Sequence, residues 1–160
     1  MALASLHGLY FEDFVIGDRA ASQSRTITET DIVMFAALSG DYNEIHTSEG
    51  IAGGGIFGRR IAHGLLVLSV ASGLAFQMGF LIGTVDVFRG LEWEFTAPTF
   101  IGDTLHIEAE VAEVKAFPRL GNGRVVFKVG VKNQKDEVVQ RGMWSLLVKS
   151  RPKQSPSAES

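Results

Sequence analysis

The chain has 160 residues, 46% hydrophobic and 21% charged, with a formal net charge of -3. That length predicts one domain burying about two-thirds of its unfolded surface, and that charge gives no reason to expect nucleic acid or an anionic membrane as partner. The lack of cysteine excludes disulfides, thiol catalysis and thiolate metal sites and fits a reducing compartment. The first residues, MALASLHGLYFEDF, put no basic stretch before an apolar core, so they make a poor signal peptide and a cytoplasmic location is expected.

Tyr10, Phe11, Phe14 and Val15 form a short apolar anchor before a turn at Gly17-Asp18, and residues 20–27 are a weak first strand. Thr28 then has acidic Asp31 three residues on, a variant of the capping box, while Glu29 and Asp31 suit the positive end of a helix. Ile32, Phe35 and Ala36 share one face, so a helix is predicted over 29–39, ending at Gly40. Behind it stands LSGDYNEIHTSEGIA, residues 38–52. Asp41, Asn43 and His46 are an acid, an amide and an imidazole, the groups needed to move protons to and from a bound water. On a continuous helix Asp41 and His46 would point about 140° apart, so they converge only if the helix stops first. The plainer reading is that Asp and Asn after a helix are ordinary turn residues and a lone histidine is structural.

In TSEGIAGGGIFGRR, residues 47–60, three consecutive glycines disfavour a regular helix. The spacing matches neither phosphate-binding glycine fingerprint. A flexible surface loop carrying solvated Arg59 and Arg60 is therefore expected, the other reading being an arginine that meets an anionic group of a substrate. His63-Gly64 then opens an uncharged run to Val85 that is long enough for a membrane span. Gly64, Gly73, Gly79 and Gly83 interrupt it, Gln77 sits inside it, and no basic cluster flanks it. It is predicted as a core helix near 64–79, enclosed on every side. The unpaired N–H groups at its start suit an oxyanion; the His63 side chain reads as a capping or packing histidine.

Beyond it the pattern changes to period two. Leu91, Trp93 and Phe95 alternate with polar residues, as do Leu105 to Val111, Val125 to Val131, and Trp144, Leu146 and Val148. Turn chemistry separates these strands at Pro98 to Asp103, Gly121-Asn122-Gly123 and Asn133 to Asp136. The fold class is α+β: one long helix wrapped by about five antiparallel strands in a meander, a single domain over 1–150 with a disordered tail at 151–160. The open sheet leaves an edge that a second copy can cover, so a homodimer, or a higher homo-oligomer built from dimers, is expected.

Ser39-Gly40-Asp41-x-Asn43-x-x-His46, then Ala52, followed by Ile61-Ala62-His63-Gly64-Leu65-Leu66, resembles the MaoC-like (R)-specific enoyl-CoA hydratase family, in layout over about residues 10–149. The resemblance implies the hot-dog fold and an acyl thioester of coenzyme A bound at a dimer interface. It implies addition of water to a trans-2-enoyl-CoA to give a (3R)-3-hydroxyacyl-CoA, or the reverse. Asp41 and His46 would be the catalytic pair, Asn43 their support and the Gly64 N–H the group polarising the thioester carbonyl. Ser72 falls where the family has a serine that helps fix the acid-bearing loop; a small residue for close packing is the other reading. Ala62, His63, Leu65, Arg59 and Arg60 are weaker substrate-binding candidates. Coenzyme A enters as part of the substrate and no separate cofactor is implied. Asp41, His46 and His63 lack a recognised metal-ligand spacing, so no metal is expected. Two departures stand out: Glu44 replaces a usual proline, and Gly53–Gly55 replaces a stretch that is often helical. The alternatives are a branched or dicarboxylic acyl-CoA of mesaconyl-CoA type, with Arg59 or Arg60 meeting the second carboxylate, a thioesterase on the same fold, and a non-catalytic acyl-binding protein.

Overall fold

The computed structural model of the chain describes residues 8–153; His7 and the tail from 154 lie outside them. Thr28 starts the first long helix as its sequence requires. Its hydroxyl accepts from the Asp31 N–H, and the Asp31 carboxylate accepts from the Thr28 N–H at 2.8 Å. Such a cap contributes about 1 kcal/mol. The helix, α1 (Glu29–Ser39), ends at Gly40, whose φ of 77° is the left-handed conformation that glycine adopts without strain.

Two short helices follow, α2 (Glu44–Thr47) and α3 (Glu49–Gly53). Asn43 caps α2 by accepting from the Ile45 N–H, and Glu44 sits in the first turn, where a carboxylate suits the dipole. Glu44 thus occupies a helix start that proline would also fill. Helix α4 (Gly64–Gln77) comes next. The uncharged run then breaks into turns, with Gly79 at φ 88° and Gly83 at φ 76°. Among the described residues no helix is long and apolar enough to cross a membrane.

The expected first strand is two short pieces, β1 (Arg19–Ala21) and β2 (Arg25–Thr26). The others are β3 (Val85–Phe95), β4 (Thr104–Phe117), β5 (Asn122–Lys132) and β6 (Val138–Lys149). They form a six-stranded antiparallel sheet in the order β1-β4-β5-β6-β3, with β2 also on β4. Strands β4, β5 and β6 are the expected meander. Strand β3 is not part of it: it pairs with β6, at the far edge from β1. The reason lies in the link from β3 to β4. Its Thr99 carbonyl accepts from the Ala62 N–H at 2.7 Å and its Phe100 bridges Ile61, so it serves the segment before α4 instead of closing a hairpin. On β6, Gly142 lets β3 approach, because a Cβ there would overlap the Glu92 carbonyl oxygen.

The inward faces of β4, β5 and β6 pack on Leu66, Val67, Val70, Ala71, Leu74 and Ala75 of α4. Phe14, from the N-terminal anchor, completes this core edge-on to Phe80 and Phe127. Each large side chain so buried contributes roughly 2 kcal/mol. The helix laid on a curled antiparallel sheet is the hot-dog fold. One expectation needs correcting: α4 is enclosed on one side only, and Leu65 and Phe76 remain 59% and 60% exposed. Arg151, the first residue assigned to the tail, is instead tied to the domain: its N–H donates to Glu12 and its guanidinium pairs with Asp13.

Candidate active site

Polar side chains shape the loop after α1. Ser39 Oγ donates to the Phe35 carbonyl at 2.7 Å and accepts from the Asp41 N–H. Asp41 Oδ1 in turn accepts from the Asn43 N–H at 3.1 Å, a local turn that Asp favours. Asn43 then starts α2, and the turn of α2 carries His46 inward to 7% exposure.

His46 Nδ1 lies 2.8 Å from the Ile61 carbonyl. A carbonyl only accepts, so Nδ1 holds the proton and the Nε2 lone pair is left available. Burial, aided by the neighbouring His63, holds this imidazole below its ordinary pKa; the Ile61 bond and the Asp41 charge oppose that without reversing it. The ring is therefore neutral at pH 7.

His63 comes from the opposite side, as the residue before α4. Its Nε2 donates to the Asp41 carbonyl at 2.9 Å. Its ring stacks on His46 with centroids 3.9 Å apart and planes inclined by 27°. A carboxylate oxygen of Asp41 and ring nitrogens of His46 and His63 all lie within 4.8 Å of one another. A water donating both hydrogens at about 2.8 Å bridges acceptors about 4.5 Å apart, a spacing compatible with the 4.8 Å within which Asp41 and a ring nitrogen of His46 lie. A metal ion fits less well. Lone pairs in the planes of two stacked rings do not converge at the bond length of about 2.1 Å that zinc requires.

His46 opens on a cleft of about 590 Å³. Ala62, Gly64, Leu65 and Val67 line one wall, and Phe95 with the link Thr96–Thr99 lines another. Gly64 is the first residue of α4, where backbone N–H groups lack helical partners. A Cβ at this position would lie 2.7 Å from the Phe95 ring, so glycine is what lets wall and helix meet. Gln140, 3% exposed, donates to the Gly64 carbonyl at 2.9 Å and accepts from Trp93 Nε1 at 2.8 Å.

The structure thus brings together Asp41, His46 and His63, places Asn43 as the cap of the helix that carries His46, and puts Ala62, Gly64 and Leu65 on the cleft wall. It does not bring Ser72 to the acid loop: Ser72 Oγ is exposed and donates to the Ser69 carbonyl within α4. Nor is Arg60 solvated, as the loop reading had it. Its side chain is 12% exposed and pairs with Glu29 of α1 at 2.5 Å and Glu49 of α3 at 2.7 Å. Those carboxylates hold it more firmly protonated and make it a clamp between the two helices. Arg59 lies over the Phe100 ring at 3.8 Å, a cation–π contact. Sequence reasoning missed Phe57, Phe95 and Gln140 as lining residues. Gln140 had a signal: it is in phase with Trp144, Leu146 and Val148, a polar residue on an apolar strand face.

Comparison with known proteins agrees with this layout. The family model for the MaoC-like domain matches residues 13–133, well over half the chain. The 3-hydroxybutyryl-CoA dehydratase of Methylorubrum extorquens is 35% identical over 156 residues, 98% of this chain and 94% of that protein. The (R)-specific enoyl-CoA hydratase of Rhodospirillum rubrum is 40% identical over 96 residues, 60% of this chain and 65% of that one. The X-ray structure of the monoamine oxidase regulatory protein from Archaeoglobus fulgius is 38% identical, with 92% of this chain and 98% of that one covered at a TM-score of 0.84. The chain belongs to the MaoC-like dehydratase family, a family of hydro-lyases.

Proposed function

We propose that the chain adds water to a trans-2-enoyl-CoA to give a (3R)-3-hydroxyacyl-CoA, and runs the reverse dehydration. One observation carries this reading: a neutral His46 with a bare Nε2 and the start of α4 at Gly64 face the same apolar cleft, with the Asp41 carboxylate within reach of the same water. Asp41 and His46 accept the two hydrogens of that water and turn its lone pair towards the β carbon. As the C–O bond forms, the π electrons move onto the thioester oxygen, where the Gly64 N–H meets the developing charge. The enolate collapses by taking at its α carbon the proton that the pair removed from the water. Both groups end as they began.

The acyl group we assign is uncharged. Among the described residues no lysine or arginine lines the cleft, and Arg60 is already held by two carboxylates. A second carboxylate placed there without a cation would cost several kcal/mol. Crotonyl-CoA is therefore expected to be hydrated with a kcat/KM at least about a hundredfold above that of mesaconyl-CoA, at a rate that chelators leave unchanged. Preference for mesaconyl-CoA would overturn the uncharged assignment. Hydration of neither, with free thiol released, would make the chain a thioesterase; tight binding without turnover would make it an acyl-binding protein.

The active form we assign is a homodimer. Strand β3 pairs only with β6 among the described residues and exposes Val87, Phe88, Leu91 and Phe95 along a free edge. Leu65 and Phe76 of α4 are exposed as well. A second copy on this edge removes both liabilities. Sedimentation equilibrium should read twice 17.3 kDa; a single-chain mass would reject the assignment.

A further inference from the structure

We infer that His63 is the positioning residue that joins the two halves of the site, holding the backbone of the Asp41 loop against the start of α4 while its ring supports that of His46. This rests on the proposed roles of Asp41, His46 and Gly64. Those groups come from separate pieces of chain, the loop behind α1, helix α2 and the start of α4, and the reaction needs them in register to within about 1 Å. His63 touches all three. It precedes Gly64 in the chain, it donates through Nε2 to the Asp41 carbonyl at 2.9 Å, and it stacks on His46 at 3.9 Å.

Other observations separate this role from substrate binding, to which the sequence assigned the residue weakly. His63 is 2% exposed and is not on the cleft wall, although its neighbours Ala62 and Gly64 are. Phe35 closes the other side of its ring at a centroid distance of 5.0 Å. Its Nδ1 is buried without a hydrogen-bond partner. The Asp41 carbonyl only accepts, so the hydrogen of the ring is on Nε2 and Nδ1 is the bare nitrogen. His46 is held in the opposite tautomer, with hydrogen on Nδ1, by Ile61. The two rings thus stack in opposite tautomers.

Two variants and one measurement on the unaltered protein test this. His63→Phe keeps a ring for stacking and loses the donor; His63→Gln can present an amide N–H near the place of Nε2. With crotonyl-CoA, His63→Phe should lower kcat about 10- to 100-fold with KM changed less than about threefold, and His63→Gln should recover most of the loss. A raised KM at unchanged kcat in either variant would make His63 a substrate-binding residue and overturn the inference. So would full activity of His63→Phe. In the unaltered protein at pH 7, nitrogen NMR of labelled histidine should show His63, identified by its contact with Phe35, protonated only at Nε2. His46 should be protonated only at Nδ1, and both N–H protons should exchange slowly with water. Tautomer averaging at His63 would overturn the inference even if neither variant folds. If the unaltered protein does not hydrate crotonyl-CoA, the proposed function fails, while the NMR result still decides whether His63 makes the connection.

Discussion

Replacing Asp41 with asparagine lowers kcat for crotonyl-CoA hydration by at least about a hundredfold. The substitution is nearly isosteric, and the loop tolerates it for a reason visible in its hydrogen bonds. Asp41 Oδ1 accepts from the Asn43 N–H, and an asparagine Oδ1 can do the same. The bond from His63 goes to the backbone carbonyl of residue 41, which the substitution leaves in place. Asp41 is also exposed, so the thermal midpoint should stay within about 3 °C. What disappears is an anionic acceptor for the water's proton.

The pH profile gives the same variant a second readout. His46 titrates below its ordinary value because it is buried, and the Asp41 charge is one of the opposing influences that favour its protonated form. In the unaltered protein kcat/KM should hold steady down to about pH 6.5, the ordinary histidine value, and fall only below it. Without the carboxylate the imidazole is harder still to protonate, so the acid limb of the residual activity should move lower. Activity within about tenfold of the unaltered protein, with an unmoved acid limb, would remove Asp41 from the chemistry.

What could be read from sequence and what could not divides by the distance over which each feature is decided. The Thr28–Asp31 cap and the Gly40 stop are settled within a few residues, and both are found where the residue types place them. The strands β4 and β5 alternate over Leu105 to Val111 and Phe127 to Val131 because one face of each is buried there by the same helix. Helix α2 was illegible: four residues are too few for a periodic signal, and the helix exists because Asn43 caps it and Arg60 reaches the His46 carbonyl at its far end. Arg60 itself pairs with Glu29, 31 residues away, and nothing local distinguishes that from a solvated arginine. The place of β3 depends on a similar long-range competition, since Ala62 takes the Thr99 carbonyl that a simple hairpin would have left free. In the site, Asp41 and His46 were legible as residue types in a short loop. That His63 lies against both was not, because it requires knowing how α4 meets α1. The apolarity of α4 was read correctly, but its enclosure was assigned to one chain, whereas the single chain covers only one side of it.

Gly64→Pro abolishes the N–H assigned to the oxyanion, and its comparison with Gly64→Ala isolates the worth of that single donor. Proline is unusually acceptable here. Residue 64 is the first of α4, the helical position where a missing N–H breaks no intrahelical bond. The preceding residue, His63, already has φ -57° and ψ 132°, within the extended region that proline imposes on its predecessor. Neither variant escapes the wall, since any Cβ at 64 meets the Phe95 ring at 2.7 Å. Phe95 is 57% exposed in the single chain and lies on the edge assigned to the dimer contact, so both variants displace the same ring and carry the same cost. Gly64→Ala therefore measures the cost of moving that ring, chiefly as a raised KM for crotonyl-CoA. Gly64→Pro adds the loss of the donor. Because charge reaches the thioester oxygen only in the transition state, that loss should appear in kcat, as a further fall of about 10²- to 10³-fold below the alanine variant. If proline and alanine give the same kcat, charge on the thioester oxygen is carried by some group other than the Gly64 N–H. The start of α4 would then be a wall of the cleft and no part of the chemistry.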